Sequence, residues 1–286
     1  MTATTITPTA MFPPEALAAL TAAYPDRHQR LTHRLLDHPL LKREAIAALA
    51  ERHPADRMEY NLGTLPLGIR PEDTPANGLS VAETIRTIDE NKSWIVLKNV
   101  ERDPAYGALL DSLLAELAPI VAPRTGPMEH REAFIFFTSP GSITPFHMDP
   151  EHNILMQIEG EKVMHVFPSA DPALVPPEQS EAFHAGAHRN LIWDEQFMAK
   201  ADPVRLTPGE AILMPVKAPH FVQNGDAVSI SLSITWRSER SVAEGELHSF
   251  NRLLRARGLP LVDVSATPEK QKVARLGYRV MRKLGE

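Results

Sequence analysis

The stretch on which the reading of this chain turns is GSITPFHMDPEHNILMQIEGEK, residues 141–162. It sets two histidines, several acids and a lysine among apolar residues that read as strand. Side chains two apart on a strand point to the same side of the sheet. His147 and Asp149 can therefore converge on one point, as two ligands of a single ion must. The same residues would also serve a turn at a strand end. An isolated H-x-D pair arises often by chance, so a metal requires a third donor from elsewhere.

The chain contains no cysteine. Disulfides, thiolate zinc sites, iron–sulfur clusters and a cysteine nucleophile are thereby excluded, and His, Asp or Glu must hold any ion. The best third donor lies in LTPGEAILMPVKAPHFVQN, residues 206–224. There Pro208-Gly209 reads as a tight turn into a short strand, and His220 follows Pro219. This succession of P-G-[DE], apolar strand, proline and histidine resembles the second conserved motif of the cupins. Two histidines with one carboxylate form the facial set that suits Fe(II) and leaves coordination positions open. Other histidines compete. His152 lies near Asp149 in sequence, and His184 and His188 are four apart, the spacing of zinc ligands on one helix. Gly186 between them argues for a loop instead, and His165 reads as a structural residue of an apolar strand.

The opening stretch ends in a lysine. NILMQIEGEKVMHVFP (153–168) is predicted to form a hairpin that turns at Glu159-Gly160, with Gly160 supplying a positive φ. In that register Gln157 opposes Lys162, and Asn153, Leu155, Met164 and Val166 share their side. Burying an unpaired ammonium is costly. Lys162 therefore either meets an anion on this face or reaches water beside the turn, and spacing alone leaves both readings open.

Around these motifs the texture changes twice. Residues 1–60 are predicted helical, and 61–80 are too rich in Pro and Gly for regular structure. A helix is expected after Ser80, which with Glu83 has the spacing of a capping box. A strand over 93–100 and a helix over 103–121 follow. From 133 come short β-favouring runs (AFIFFTS, NILMQIEG, KVMHVFP, EAILMPV, AVSISLSITW) split by Gly, Pro and Asp, the pattern of an antiparallel barrel or sandwich. After 240 a helix stops at Gly258, and another begins after Thr267 with Pro268 in its first position. The expected architecture is a mainly β core with helical flanks. An N-terminal helical flank and connector spans 1–92, the barrel 93–240, and a C-terminal helical arm 241–286.

The pattern G-x-x-T-P-x-H-x-D-x-x-x-N-x-x-x-Q-I-x-G-x-K over 141–162 resembles the core of the JmjC-domain, cupin-like 2-oxoglutarate oxygenases. It is most similar to the asparaginyl hydroxylase group that acts on hypoxia-inducible factor. The resemblance covers about 130–240 at the level of motifs. It implies a double-stranded β-helix (jelly roll) in which His147, Asp149 and His220 bind Fe(II). It also implies that Thr144 and Lys162 hold the far carboxylate of 2-oxoglutarate, and that Asn153 lines the same site. The implied chemistry is hydroxylation of a C–H bond coupled to decarboxylation of 2-oxoglutarate to succinate. A protein side chain is the favoured substrate and a small metabolite the alternative. In one respect the chain departs from the pattern: some members carry an asparagine on the last barrel strand, where this chain offers Ser233, Thr235 or Arg237. Arg237 is thus a rival to Lys162 as the cosubstrate-binding cation.

The net charge of −6 gives no reason to expect nucleic acid as a partner. No apolar segment of membrane-spanning length is expected, and MTATTITPTAMFPP lacks the basic start of a secretory signal, so the expected location is the cytoplasm. Related enzymes dimerise through C-terminal helices, which implies a homodimer here. Two rival classes stand beside the oxygenase: a cupin-type enzyme using another metal without 2-oxoglutarate, and a non-catalytic binding protein. Thr144 with Lys162 speaks against the first, and the intact triad against the second.

Overall fold

In SISLSITWR, residues 229–237, a serine or threonine alternates with a bulky apolar residue, and nearly every position is buried. Ile230, Leu232, Ile234 and Trp236 belong to the main hydrophobic core, whereas Ser229, Ser231, Ser233 and Thr235 turn to the opposite side. A strand buried on both faces needs a layer on each. Helices cover the apolar face, and a second sheet stands across from the hydroxyl face.

The computed structural model describes residues 10–169, 171–265 and 267–285. Residues 1–9, which make up most of the stretch from which the absence of a secretory signal was inferred, lie outside the described residues. In chain order the strands are β1 (Gln29–Thr32), β2 (Met58–Leu62), β3 (Ser93–Lys98), β4 (Glu129–Thr138), β5 (Ile143–His147) and β6 (His152–Glu159). They continue with β7 (Lys162–Val166), β8 (Asp202–Leu206), β9 (Glu210–Met214), β10 (His220–Asn224) and β11 (Ser229–Arg237). The helices are α1 (Pro14–Ala23), α2 (Arg43–Arg52), α3 (Val81–Arg86), α4 (Pro104–Thr125), α5 (Pro177–His184), α6 (Glu239–Arg255) and α7 (Pro268–Gly285). The larger sheet runs β1-β9-β6-β11-β4-β3-β2 and the smaller β5-β10-β7-β8, antiparallel throughout. Two facing antiparallel sheets with helical flanks are the jelly-roll architecture expected from the motifs.

Three expectations differ from the structure. The segment 1–60 is not wholly helical: β1 and β2 form the two edges of the larger sheet. Their short length and mixed burial left no period-2 signal. The 153–168 hairpin does not form either. β6 pairs with β9 and β11, while β7 pairs with β8 and β10. Glu159-Gly160-Glu161 therefore carries the chain from one sheet to the other. Leu155, Met164 and Val166 still share an apolar cluster, because the sheets face each other and not because the strands are neighbours. Finally, α4, 22 residues long, is long and apolar enough to cross a membrane, with a mean hydropathy of 1.4 over an 18-residue window. Its Leu110, Leu113, Leu114, Leu117 and Val121 are buried in the main core. Full burial of each such side chain contributes about 1.5–3 kcal/mol.

Other boundaries match closely. Ser80 and Glu83 form the capping box of α3, and α7 starts at Pro268. The Glu116 carboxylate on α4 accepts from the backbone N–H groups of Met11 and Phe12, at 2.8 and 2.9 Å, and so fixes the N-terminal segment to the helical layer.

The crossing at Gly160 is tight. Its φ is +66°, and a Cβ there would stand 2.1 Å from the Val228 carbonyl oxygen. Gly160→Ala combines left-handed strain with a backbone clash, and should destabilise the fold by about 2–5 kcal/mol. An unchanged urea midpoint would refute this account of the crossing.

Candidate active site

β5 and β10 are neighbours, and their register sets His220 directly opposite His147. Both side chains point between the sheets, whereas Phe146 and Phe221, one position away, pack in a separate cluster on the outer face. The imidazole centroids are 4.1 Å apart. Asp149 follows in the turn after β5, and its Oδ2 lies 3.7 Å from Nε2 of each histidine. His147, Asp149 and His220 are the one group of three or more potential metal donors among the described residues.

The tautomers follow from the second ring nitrogens. His147 Nδ1–H donates to the Pro145 carbonyl at 2.7 Å, and His220 Nδ1–H donates to that of Ala218 at 2.9 Å. A carbonyl only accepts, so each Nδ1 carries a proton and Nε2 is the nitrogen that each ring turns toward the shared centre. Burial, reinforced by the neighbouring His220, pushes His147 down to about 3. Burial alone would raise Asp149, but His147, Arg189 and His220 outweigh it and hold the carboxyl below its usual range. Arg189 Nη1 sits 3.4 Å from Asp149 Oδ1, leaving Oδ2 toward the histidines. Neutral imidazoles and an ionised carboxylate are the states in which these groups ligate. Two histidines and one carboxylate on adjacent elements fit Fe(II).

The triad opens into a cavity of about 360 Å³ whose lining includes all six residues singled out from the sequence: Thr144, His147, Asp149, Asn153, Lys162 and His220. Lys162, 4% exposed, stands opposite Asn224 in the β7–β10 ladder. Burial pushes its ammonium down to about 7, and no carboxylate contributes to that shift. Of the two readings the spacing allowed, the structure has the lysine facing the cavity rather than reaching water. Ser233 Oγ donates to Asn153 Oδ1 at 2.8 Å, so the serine on the last strand meets the very asparagine that lines the site. Arg237, the rival cation, is paired with Glu151 at 2.8 Å and is not among the residues lining the cavity.

The competing histidines do not converge. His184 ends α5 and stacks on His248 at 5.2 Å, while His188 lies beyond the helix at the cavity wall. His165 points outward and stacks on Phe221 at 4.2 Å. His152 Nε2 is bonded to Ser238 Oγ at 2.9 Å, at the cap of α6.

Sequence reasoning missed Asn224, Arg189 and Asn190. Asn224 was within reach, since period 2 from His220 through Val222 leads to it. It faces Lys162 and donates to Thr138 Oγ1 at 2.6 Å. Arg189 and Asn190 come from a loop that lies along β5, with Met148 N–H donating to the Arg189 carbonyl at 3.2 Å. No local pattern announces that contact.

Comparison with known proteins agrees with this geometry. Lysine-specific demethylase 8 of Xenopus tropicalis is 29% identical over 107 residues, 35% of this chain and 24% of that protein. Human HSPB1-associated protein 1 is 30% identical over 112 residues, 36% of this chain and 23% of its own. The match thus spans about a quarter of the length of these curated relatives. Among solved structures, that of E. coli YcfD superimposes with a TM-score of 0.51 at 14% identity, covering 92% of this chain and 66% of that one; it supports the fold. The model of the cupin-like domain family matches residues 80–241, more than half of the sequence. Spanning β3 to β11 and all six cavity residues singled out above, that match shows that the chain belongs to the cupin-like domain family.

Proposed function

We propose that this protein is an Fe(II)- and 2-oxoglutarate-dependent oxygenase that hydroxylates a C–H bond, with a protein side chain as the favoured substrate. One observation carries the reading: a His-Asp-His triad and a buried lysine that no carboxylate among the described residues pairs with line the same cavity. A cupin enzyme that needed only the metal would have no use for that ammonium. His147, Asp149 and His220 would hold the iron, which when bound couples O₂ reduction and decarboxylation of 2-oxoglutarate to oxidation of the substrate. Lys162 and Thr144 would receive the far carboxylate, with Asn224 and Asn153 completing the polar wall. The demethylase name of one relative is in keeping with oxidative chemistry on proteins. The finer likeness to the asparaginyl hydroxylase group rests on the 141–162 motif alone.

A charge-assisted hydrogen bond to a desolvated carboxylate is worth about 1.5–3 kcal/mol. Lys162→Met should therefore weaken 2-oxoglutarate binding roughly 10- to 150-fold while leaving metal affinity intact. The same change removes a desolvated ammonium that no carboxylate among the described residues offsets, so it should raise the thermal midpoint of the apo protein. Equal affinity for 2-oxoglutarate in parent and variant would remove the proposed role of the lysine.

The sign of the pH dependence follows from the lowered ammonium. In the ligand-free protein Lys162 is charged below about 7 and neutral above it. Binding of a dicarboxylate should therefore weaken as pH rises from 7 to 9, while Lys162→Met should be flat over that range. A parent profile that is also flat would contradict the assignment.

The homodimer reading is supported by Val273, Leu276 and Val280, which α7 leaves exposed at 75, 65 and 49%. A light-scattering mass of one chain would remove it.

A further inference from the structure

The turn ahead of His220 contains a residue in an unusual conformation. Lys217 has φ +58°, a left-handed backbone that is unfavourable for a non-glycine residue. Such conformations persist only where the surroundings hold them in place. Here the surroundings are specific. Lys217 N–H donates to the Asp149 carbonyl at 2.8 Å, and one residue on, the Ala218 carbonyl accepts from His220 Nδ1 at 2.9 Å. This single turn therefore touches two of the three members of the triad.

The Lys217 side chain is largely buried. It runs to α6, where Nζ lies 2.6 Å from Glu244 Oε1 and donates to His248 Nε2 at 2.8 Å. Burial would raise Glu244, but His248 and Lys217 hold it down to about 2, so the carboxylate is ionised. His248 is itself stacked on His184 with the rings 5° from parallel. Gly245 permits that approach, since a Cβ there would lie 3.0 Å from His184 Nδ1. A buried ammonium with two partners on a rigid helix is a fixed anchor for the backbone that carries it.

We infer that Lys217 is a positioning residue for the metal centre, its ion pair with Glu244 and hydrogen bond to His248 locking the 215–218 turn and, through it, Asp149 and His220. The inference rests on the metal-centre part of the reading above. It assigns to α6, the first helix of the C-terminal arm, a part in setting the ligands, although α6 contributes no ligand itself.

The test is titration of the metal-free protein with Co(II), read from its visible absorption. Loss of a group that orients ligands typically costs 10- to 100-fold in metal affinity. Lys217→Met and Glu244→Gln should each weaken Co(II) binding by about that range, and the double variant should be no worse than the weaker single one, as expected of partners in one interaction. Lys217→Gly, which relaxes the backbone but removes the anchor, should also weaken binding. Arg255→Met breaks a different ion pair of α6, to Glu181 at 2.8 Å, and should leave Co(II) affinity within about two-fold, being remote from the turn. Co(II) affinity equal to the parent in folded Lys217→Met, or an equal loss in Arg255→Met, would overturn the positioning role. If Lys217→Met fails to fold, Glu244→Gln decides by the same criteria. Failure of the unaltered protein to take up Co(II) would sink the metal-centre reading itself, and this inference with it.

Discussion

The structure depends on the antiparallel register between β5 and β10. A strand offers alternate side chains to opposite faces, so a single-residue slip would send His147 or His220 to the outer surface and bring Phe146 or Phe221 into the cavity. The register is held by the aromatic cluster on that outer surface, where Phe146, Phe167, Phe221 and Trp193 meet edge to face or tilted at 5.1–6.1 Å. Apolar packing on one side of the small sheet thus determines ligand geometry on the other. The carboxylate needs no strand, because Asp149 follows β5 by two residues and its Oδ1 is steered by Arg189.

The interior is graded in polarity. Toward one part it is closed by Leu155, Met164, Val166, Leu206, Ile212 and Met214. Around the cavity it is lined by Thr138, Thr144, Asn153, Lys162 and Asn224. Strand β11 keeps this interior roomy, since its inward residues are three serines and a threonine. Their hydroxyls are engaged with Gln157, Asn153 and the backbone, Ser231 with Gln157 Oε1 at 2.7 Å. Small, hydrogen-bonded groups on the central strand leave space for a ligand without leaving polar atoms unsatisfied. Lys162 stands apart as a buried ammonium with no carboxylate partner among the described residues, a cost that an anionic ligand would relieve.

Much of this was legible in the chain because it is local. The H-x-D spacing, the turn into the strand before His220, and the lysine fifteen residues after His147 are short-range patterns, and the structure gathers them in one cavity. What was not legible depends on pairing between distant segments. The 153–168 run has every mark of a hairpin, including a glycine at positive φ, yet its strands part into different sheets, β6 between β9 and β11 and β7 between β8 and β10. β1 and β2 are short edge strands in a helix-rich segment, and only the sheet they join makes them strands. Arg189 enters from a loop whose sequence is silent about where it docks, and Lys217 looks like an ordinary surface lysine until its backbone angle and its two partners on α6 are known.

The order of strands in the larger sheet bears on how the molecule is made. Its middle position belongs to β11, the last strand synthesised, and one edge, β1, can be seated only after β9 has been translated. Strands β2, β3 and β4 can pair as they emerge, but β1 and β6 lack β9 and β11 until late in translation. The barrel can close only after nearly the whole chain is made, and His147 and Asp149 can meet His220 only once β10 has been translated.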